Sequence, residues 1–193
     1  NNLTRPFVDI LHVLERISKG DFSRKVRVKS IDELGYTGDA VNEMIDGLIE
    51  RDNMRISLSL AKEIQQRLLP SAPPVFDGYS VAGKSWYCDE TGGDYFDFFV
   101  RKESGRLAVV IGDVTGHGVH AALLMATLRG ALRQRAELPG TPADFIKDVN
   151  YRFCADTYGS GLFMSLVYLE FSSNGEVSLV SAGHDPTLYI SSN

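Results

Sequence analysis

Residues 91–118 read TGGDYFDFFVRKESGRLAVVIGDVTGHG. Two runs inside this stretch, Tyr95–Val100 and Leu107–Gly112, are apolar and rich in aromatic and β-branched residues, which predicts two strands. Asp94 stands at the mouth of the first strand behind Gly92-Gly93, and Asp113 stands where the second runs out, in Gly112-Asp113-Val114-Thr115-Gly116-His117-Gly118. A carboxylate at a strand end, with glycines letting the backbone come close, suits a hard divalent cation. Mg²⁺ and Mn²⁺ take oxygen ligands and keep several waters, so such a site needs few protein carboxylates. If the two strands are neighbours, Asp94 and Asp113 meet across a short gap, where two ions about 3.5–4 Å apart would activate a water and clamp a phosphoryl group. Each motif alone has a plainer reading. GGD is often a turn with an Asx hydrogen bond, and GDVTGHG is a glycine-rich junction of the kind that holds a nucleotide phosphate on a helix N-terminus. It lacks the Lys-Ser/Thr ending of a P-loop and the GxGxxG spacing of a dinucleotide fold. The pair, in this order and with a strand between, favours the metal.

Outward from this stretch, Tyr79–Tyr87, Leu162–Phe171 and Glu176–Ala182 are further β-rich runs, and Ser172-Ser173-Asn174-Gly175 is a hairpin turn with the favoured Asn-Gly step. One helix is expected after Gly118 through LLMATLRGALRQ, and another from Thr141-Pro142, an N-cap followed by proline, to about Asp156. Antiparallel strands with two consecutive helices between them predict an α+β layered fold. The first third is helical instead. Leu3, Phe7, Ile10, Leu14 and Ile17 recur with coiled-coil spacing, Pro6 is tolerable only in a first turn, and Gly20 stands where a C-cap belongs. Phe22–Val28 reads as an extended connector. Ser30 and Glu33 form a capping box for a second helix with Leu34, Val41, Ile45 and Leu48 facing inward. No Gly or Pro interrupts that helix between Leu48 and Pro70. Its apolar residues Ile56, Leu60, Ile64 and Leu68 shift to a spacing of four, and Arg51, Asp52 and Arg55 break the seam at the change, a pattern that resembles a stutter.

Composition excludes several classes. The 193 residues carry 20 Lys+Arg against 25 Asp+Glu, so no basic excess exists to grip nucleic acid, and none is expected as a partner. Hydrophobic residues at 44% and charged residues at 23% rule out a disordered chain. Two cysteines, Cys88 and Cys154, are too few for a disulfide scaffold. No apolar run reaches the ~20 residues of a membrane span. The chain opens Asn1-Asn2-Leu3 without Met and is expected to be part of something longer.

GGDYFD followed by GDVTGHG, preceded by AKEIQQRLLP and followed by SAGHDP, resembles the SpoIIE/RsbU-type branch of the metal-dependent serine/threonine protein phosphatases, from about Ala61 onward. The resemblance implies two face-to-face sheets with helices outside and a di-manganese or di-magnesium centre. It also implies a phosphoserine or phosphothreonine protein as substrate, such as a STAS-fold anti-sigma-factor antagonist. By similarity Asp113 bridges both metals, the Val114 carbonyl lies beside it, and Asp94 completes one metal's sphere, directly or through water. Family members carry further acidic motifs downstream of SAGHDP that this chain does not contain, so weak or no activity is expected of residues 1–193 alone.

Residues up to about 55 resemble a HAMP domain: Pro6, the ISKGDF segment, DELG at Asp32–Gly35 and the following VNEM. This resemblance implies a parallel helical bundle in a homodimer, and a parent protein held on the cytoplasmic side of the cell membrane by a span outside this chain. The expected organisation is therefore HAMP over 1–55, a linker helix over 56–70, and the N-terminal part of a phosphatase-type α-β-β-α sandwich over 71–193. Two rivals remain: a phosphatase-like module that binds without turnover, and a nucleotide-binding kinase or cyclase output. His117 is a weak site candidate. His120 and His184 are expected to be structural, His12 has no evident partner, and Arg129, Arg133 and Arg135 read as a solvated basic flank.

Overall fold

The computed structural model describes residues 4–27, 31–86 and 91–191, which fold as two compact units, 1–57 and 58–193. In the first unit, α1 (Thr4–Ser18) holds Pro6 within its first turn, where the ring costs no hydrogen bond. It ends in a Schellman arrangement. Asp21 N–H donates to the Arg16 carbonyl at 3.0 Å and Gly20 N–H to that of Ile17 at 2.9 Å, with Gly20 at φ 78°, a conformation that favours glycine. α2 (Glu33–Leu68) is a single helix of 36 residues. Its cap differs from the expected one. The Asp32 carboxylate accepts from Leu34 N–H at 3.1 Å and Gly35 N–H at 3.3 Å, so Asp32 is the N-cap, and Ser30 lies outside the described residues.

A small core joins α1, the connector and α2: Ile10, Val13, Val26 and Ile45 are buried, with Ile17, Phe22, Val41 and Ile49 packed around them. The connector is pinned by Asn42, whose carboxamide accepts from Val26 N–H at 2.8 Å and donates to its carbonyl at 3.1 Å. Phe7 and Leu14, members of the expected seam, remain exposed, while Val13 and Ile49 take inward places that a strict 4-3 count does not assign. Leu3 lies outside the described residues.

The second unit is built on one antiparallel sheet in the order β1 (Asp94–Val100), β2 (Leu107–Val114), β3 (Met164–Phe171) and β4 (Val177–Ala182). The Asn174-Gly175 turn joins β3 to β4, closed by Ser172 N–H donating to the Glu176 carbonyl at 3.0 Å. α3 (Val119–Arg135) and α4 (Pro142–Thr157) cover one face. α4 starts in a capping box between Thr141 and Asp144, with Pro142 in its first turn. Tyr95, Phe99, Val110, Val114, Leu166 and Tyr168 point to the helices and meet Met125, Leu128, Leu132, Phe145 and Val149. Fully burying one such side chain contributes about 1.5–3 kcal/mol, so this layer dominates the unit's stability. The fold is α+β, and the described residues contain the sheet with its helical layer.

Two expectations are corrected here. Tyr79–Tyr87 forms no strand over its described residues. Only an isolated bridge joins Phe76 and Tyr79, and the chain then crosses the open face of β1, where a Cβ on Gly83 would stand 2.7 Å from the Phe96 ring and 2.9 Å from that of Phe98. A segment lying on a sheet's face cannot share its ladder, however β-prone its residues. The arginines of α3 are not a solvated flank either. Arg133 Nε donates to Asp97 Oδ2 at 2.7 Å, and Arg135 Nε to Asp148 Oδ2 at 2.7 Å. Asp97 is fully buried, so its charge demands a partner, which a helical period alone does not reveal.

Candidate metal centre

The register of the sheet builds the site. Asp94 on β1 pairs directly with Asp113 on β2, and Asp113 pairs with Ser165 on β3. Directly opposed residues of an antiparallel ladder share a face, so the three side chains form a row on the face that α3 and α4 leave open. The alternation of strand residues separates the two carboxylates of GGDYFD: Asp94 joins this row, whereas Asp97 turns to the helices, accepting from the Tyr95 hydroxyl at 2.9 Å as well as from Arg133.

The row lies in a hollow of about 290 Å³ lined by Lys84, Ser85, Trp86, Asp94, Asp113 and His184 among others. Ser85 Oγ donates to Asp94 Oδ2 at 3.1 Å. Ser165 Oγ and His184 Nδ1 are 2.6 Å apart, which fixes the imidazole beside the row. Lys84 Nζ stands 4.6 Å from the centre of the Trp86 ring, a cation–π contact at the rim. Partial burial, then the neighbouring Asp94 charge, push the Asp113 carboxyl above its ordinary range, and His184 draws it partly back.

The loop before Asp94 is held from several sides. Gly93 packs so tightly on β2 that a Cβ there would stand 2.5 Å from the Val114 carbonyl oxygen, and Val114 N–H donates to the Gly93 carbonyl at 3.3 Å. Gly118 N–H, at the start of α3, donates to the Thr91 carbonyl at 3.3 Å. Thr115 ties the next turn to Phe163, with its N–H donating to the Phe163 carbonyl at 2.9 Å.

The donor set fits a divalent cation. Two carboxylates face each other directly with no cationic side chain bonded to either in the contacts above. Like charges in that position repel, and a hard ion that keeps its waters relieves the repulsion using few protein oxygens. Among the described residues no three His, Cys, Asp or Glu side chains gather as a metal cluster, so Asp94 and Asp113 stand as a pair.

Of the residues expected from sequence, Asp94 and Asp113 are brought together, and Val114 adjoins them with its side chain in the helical core and its carbonyl against Gly93. His117 does not line the hollow, and His120 packs its ring over Gly116. His184 does more than shape a turn, since it borders the hollow. Lys84, Ser85 and Trp86 escaped the sequence reading because that segment reads as a strand. The polar-aromatic alternation of Lys84-Ser85-Trp86, just upstream of GGD, was the available signal. Cys88 lies outside the described residues.

Comparison with known proteins gives two family matches: Stage II sporulation protein E (SpoIIE) over residues 103–193, and the HAMP domain over residues 1–50. The chain is 27% identical to Protein IcfG of Synechocystis sp., over 98% of this chain and 36% of that protein. It is 27% identical to Phosphoserine phosphatase RsbU of Bacillus subtilis, over 73% of this chain and 42% of that protein. A solved structure of the RsbU and RsbW domains of Rv1364c from Mycobacterium tuberculosis matches with 36% identity and a TM-score of 0.44, covering 49% of this chain and 26% of that one. The chain thus spans less than half the length of these relatives. No described helix is long and apolar enough to cross a membrane. By these matches residues 1–50 are similar to a HAMP domain and residues 103–193 to Stage II sporulation protein E.

Proposed function

We propose that the protein is a metal-dependent serine/threonine protein phosphatase in a signalling protein tethered to the membrane, acting on a phosphoprotein such as a STAS-fold anti-sigma-factor antagonist. The observation that carries this reading is the cross-strand pair Asp94–Asp113 in a hollow that also holds Lys84 and His184. The similarity to Phosphoserine phosphatase RsbU supports the substrate class. Asp113, Asp94 and the Val114 carbonyl would hold Mn²⁺ or Mg²⁺, two ions in the complete domain. Bound there, such ions supply an activated water and neutralise the phosphoryl oxygens. The side chains do the rest: Lys84 offers its ammonium to the incoming phosphate, Trp86 gives the flanking peptide an apolar platform, and Ser165 holds the His184 ring in place. Domain limits of 1–55, 56–70 and 71–193, dimerisation through HAMP and the linker helix, and control through that helix belong to the same proposal.

The test is phosphate release from p-nitrophenyl phosphate by the full-length protein, with and without Mn²⁺, beside Asp113→Asn. Manganese-dependent turnover that the substitution abolishes is the expected result. Silence under every divalent ion would replace this reading with its rival, a module that binds a partner without turnover, which the bare pair of carboxylates favours. Lys84→Ala should raise KM for a phosphoprotein about ten-fold with kcat little changed, the mark of a contact made equally in ground and transition states. An unchanged KM would remove Lys84 from the substrate site.

A further inference from the structure

β4 ends at Ala182, and Gly183 turns the chain there at φ 71°, a conformation that favours glycine. The side chain that follows, His184, returns over β3: its Nδ1 lies 2.6 Å from Ser165 Oγ. Ser165 stands directly opposite Asp113, which stands opposite Asp94. The imidazole therefore extends the row on the open face, and it lines the same hollow. A neutral imidazole has one donor and one acceptor nitrogen. With Nδ1 engaged by Ser165, the other ring nitrogen, Nε2, has no hydrogen-bond partner among the described residues. Two neighbours in the hollow are already committed: Ser85 donates to Asp94, and Lys84 lies against the Trp86 ring. A metal ligand is the first alternative for an unpartnered ring nitrogen beside two carboxylates. Among the described residues, however, no third His, Cys, Asp or Glu gathers with Asp94 and Asp113 into a cluster that could hold an ion. Ligating histidines also usually give their other N–H to a carboxylate or a carbonyl, whereas Ser165 brings a hydroxyl that can itself be the donor.

We propose that His184 is a phosphate-binding residue: Ser165 donates to Nδ1, which keeps the proton of the neutral ring on Nε2, and that N–H hydrogen-bonds a phosphoryl oxygen of the substrate at the Asp94–Asp113 pair. This rests on the metal-dependent phosphatase reading and adds to it a donor supplied by the protein itself. The row needs one. Its two carboxylates repel a phosphate dianion, so a donor in the hollow that is bonded to neither of them favours the substrate without competing for the cation's ligands. The tautomer decides the role. With its proton on Nδ1, the same ring would offer the hollow a lone pair, which suits a cation and repels a phosphate.

The experiment loads the full-length protein with Mg²⁺ and titrates inorganic phosphate into it by calorimetry. Mg²⁺ affinity is measured in the same way, and nitrogen NMR spectra of the imidazoles are recorded with and without phosphate. His184→Leu removes both ring nitrogens, whereas His184→Gln restores an N–H donor at a similar reach. His184→Leu should bind phosphate about ten-fold more weakly, the scale of one hydrogen bond to a charged group, with Mg²⁺ affinity and melting temperature close to wild type. His184→Gln should recover most of that loss. The spectra should show His184 protonated at Nε2 and not at Nδ1, with Nε2 shifting when phosphate is added. Mg²⁺ affinity that falls with His184→Leu would make the ring a metal ligand and overturn the proposal, leaving the phosphatase reading standing. Wild-type phosphate affinity in His184→Leu, or a proton found on Nδ1, would overturn it in the same way. A wild-type protein that binds neither Mg²⁺ nor phosphate would overturn the phosphatase reading and this contact with it.

Discussion

At the residue scale, Asp113 carries two opposed demands. Its place opposite Asp94 serves a cation, yet without one its ionised form is disfavoured in the folded chain, since partial desolvation and the Asp94 charge raise its pKa. The sign follows from linkage: a carboxyl with a raised folded pKa favours the fold below its ordinary range and loses that contribution as pH rises through the raised value. In chelator, Asp113→Asn should therefore melt higher than wild type at neutral pH, by about 1–3 °C on the scale of one like-charge pair. The difference should vanish once the pH falls below the ordinary carboxylate range. Mn²⁺ should reverse the order by stabilising only the wild type. Thermal melts at two pH values, with and without Mn²⁺, decide it; a variant that melts lower in chelator at neutral pH would mean Asp113 has a cationic partner in the fold.

At the element scale, the buried network at the far end of β1 is a structural counterpart to the open carboxylate pair. Arg101 Nη1 donates to Glu170 Oε1 at 2.6 Å, with the two side chains only 1% and 2% exposed, and Arg101 Nη2 donates to the Leu138 carbonyl at 2.8 Å. Tyr168 adds its hydroxyl to the same carboxylate at 2.7 Å, and burial, with that bond, lifts its phenol well above the ordinary range. Glu170→Leu would strand a buried guanidinium and should cost about 3–5 kcal/mol in urea unfolding. Combining it with Arg101→Met should recover most of the loss, because the charge that needed a partner is then gone. An additive double variant would mean that packing, not charge, sets the cost. The elements themselves were largely legible: runs rich in aromatic and β-branched residues marked β1 to β4, glycine at position 20 marked the end of α1, and Thr141-Pro142 marked the start of α4. What the sequence concealed depended on tertiary placement. Residues 79–86 carry β-forming side chains but lie on a face instead of beside an edge, and Asp97 and Arg133 are polar residues 36 positions apart that only the packed layer brings together. The candidate site divides the same way. Its two aspartates were visible from motif and order, whereas Lys84 and Trp86 became visible only once the segment before Asp94 had a place.

At the scale of the whole molecule, α2 is the continuous element, running from Glu33 to Leu68 and contributing residues to both units. Its solvent-facing residues Ile56, Leu60 and Ile64 are four apart, so the stripe they form turns by about 40° at each step instead of holding one seam. Such a helix transmits a rotation only while its backbone is unbroken, since each turn is hydrogen-bonded to the next. Arg55→Pro tests that continuity. Proline inside a helix removes a hydrogen bond and clashes with the preceding turn, at about 3 kcal/mol, and position 55 precedes every residue of the second unit. If the first unit sets the output of the second through α2, full-length Arg55→Pro should still hydrolyse p-nitrophenyl phosphate, at the rate of a protein begun at Leu58 and not at that of wild type. Mn²⁺ affinity should stay at the wild-type value in a version begun at Leu58, because Asp94 and Asp113 both lie wholly beyond the break. Turnover of Arg55→Pro identical to wild type, with the version begun at Leu58 differing from both, would show that the first unit acts on the second without an intact helix.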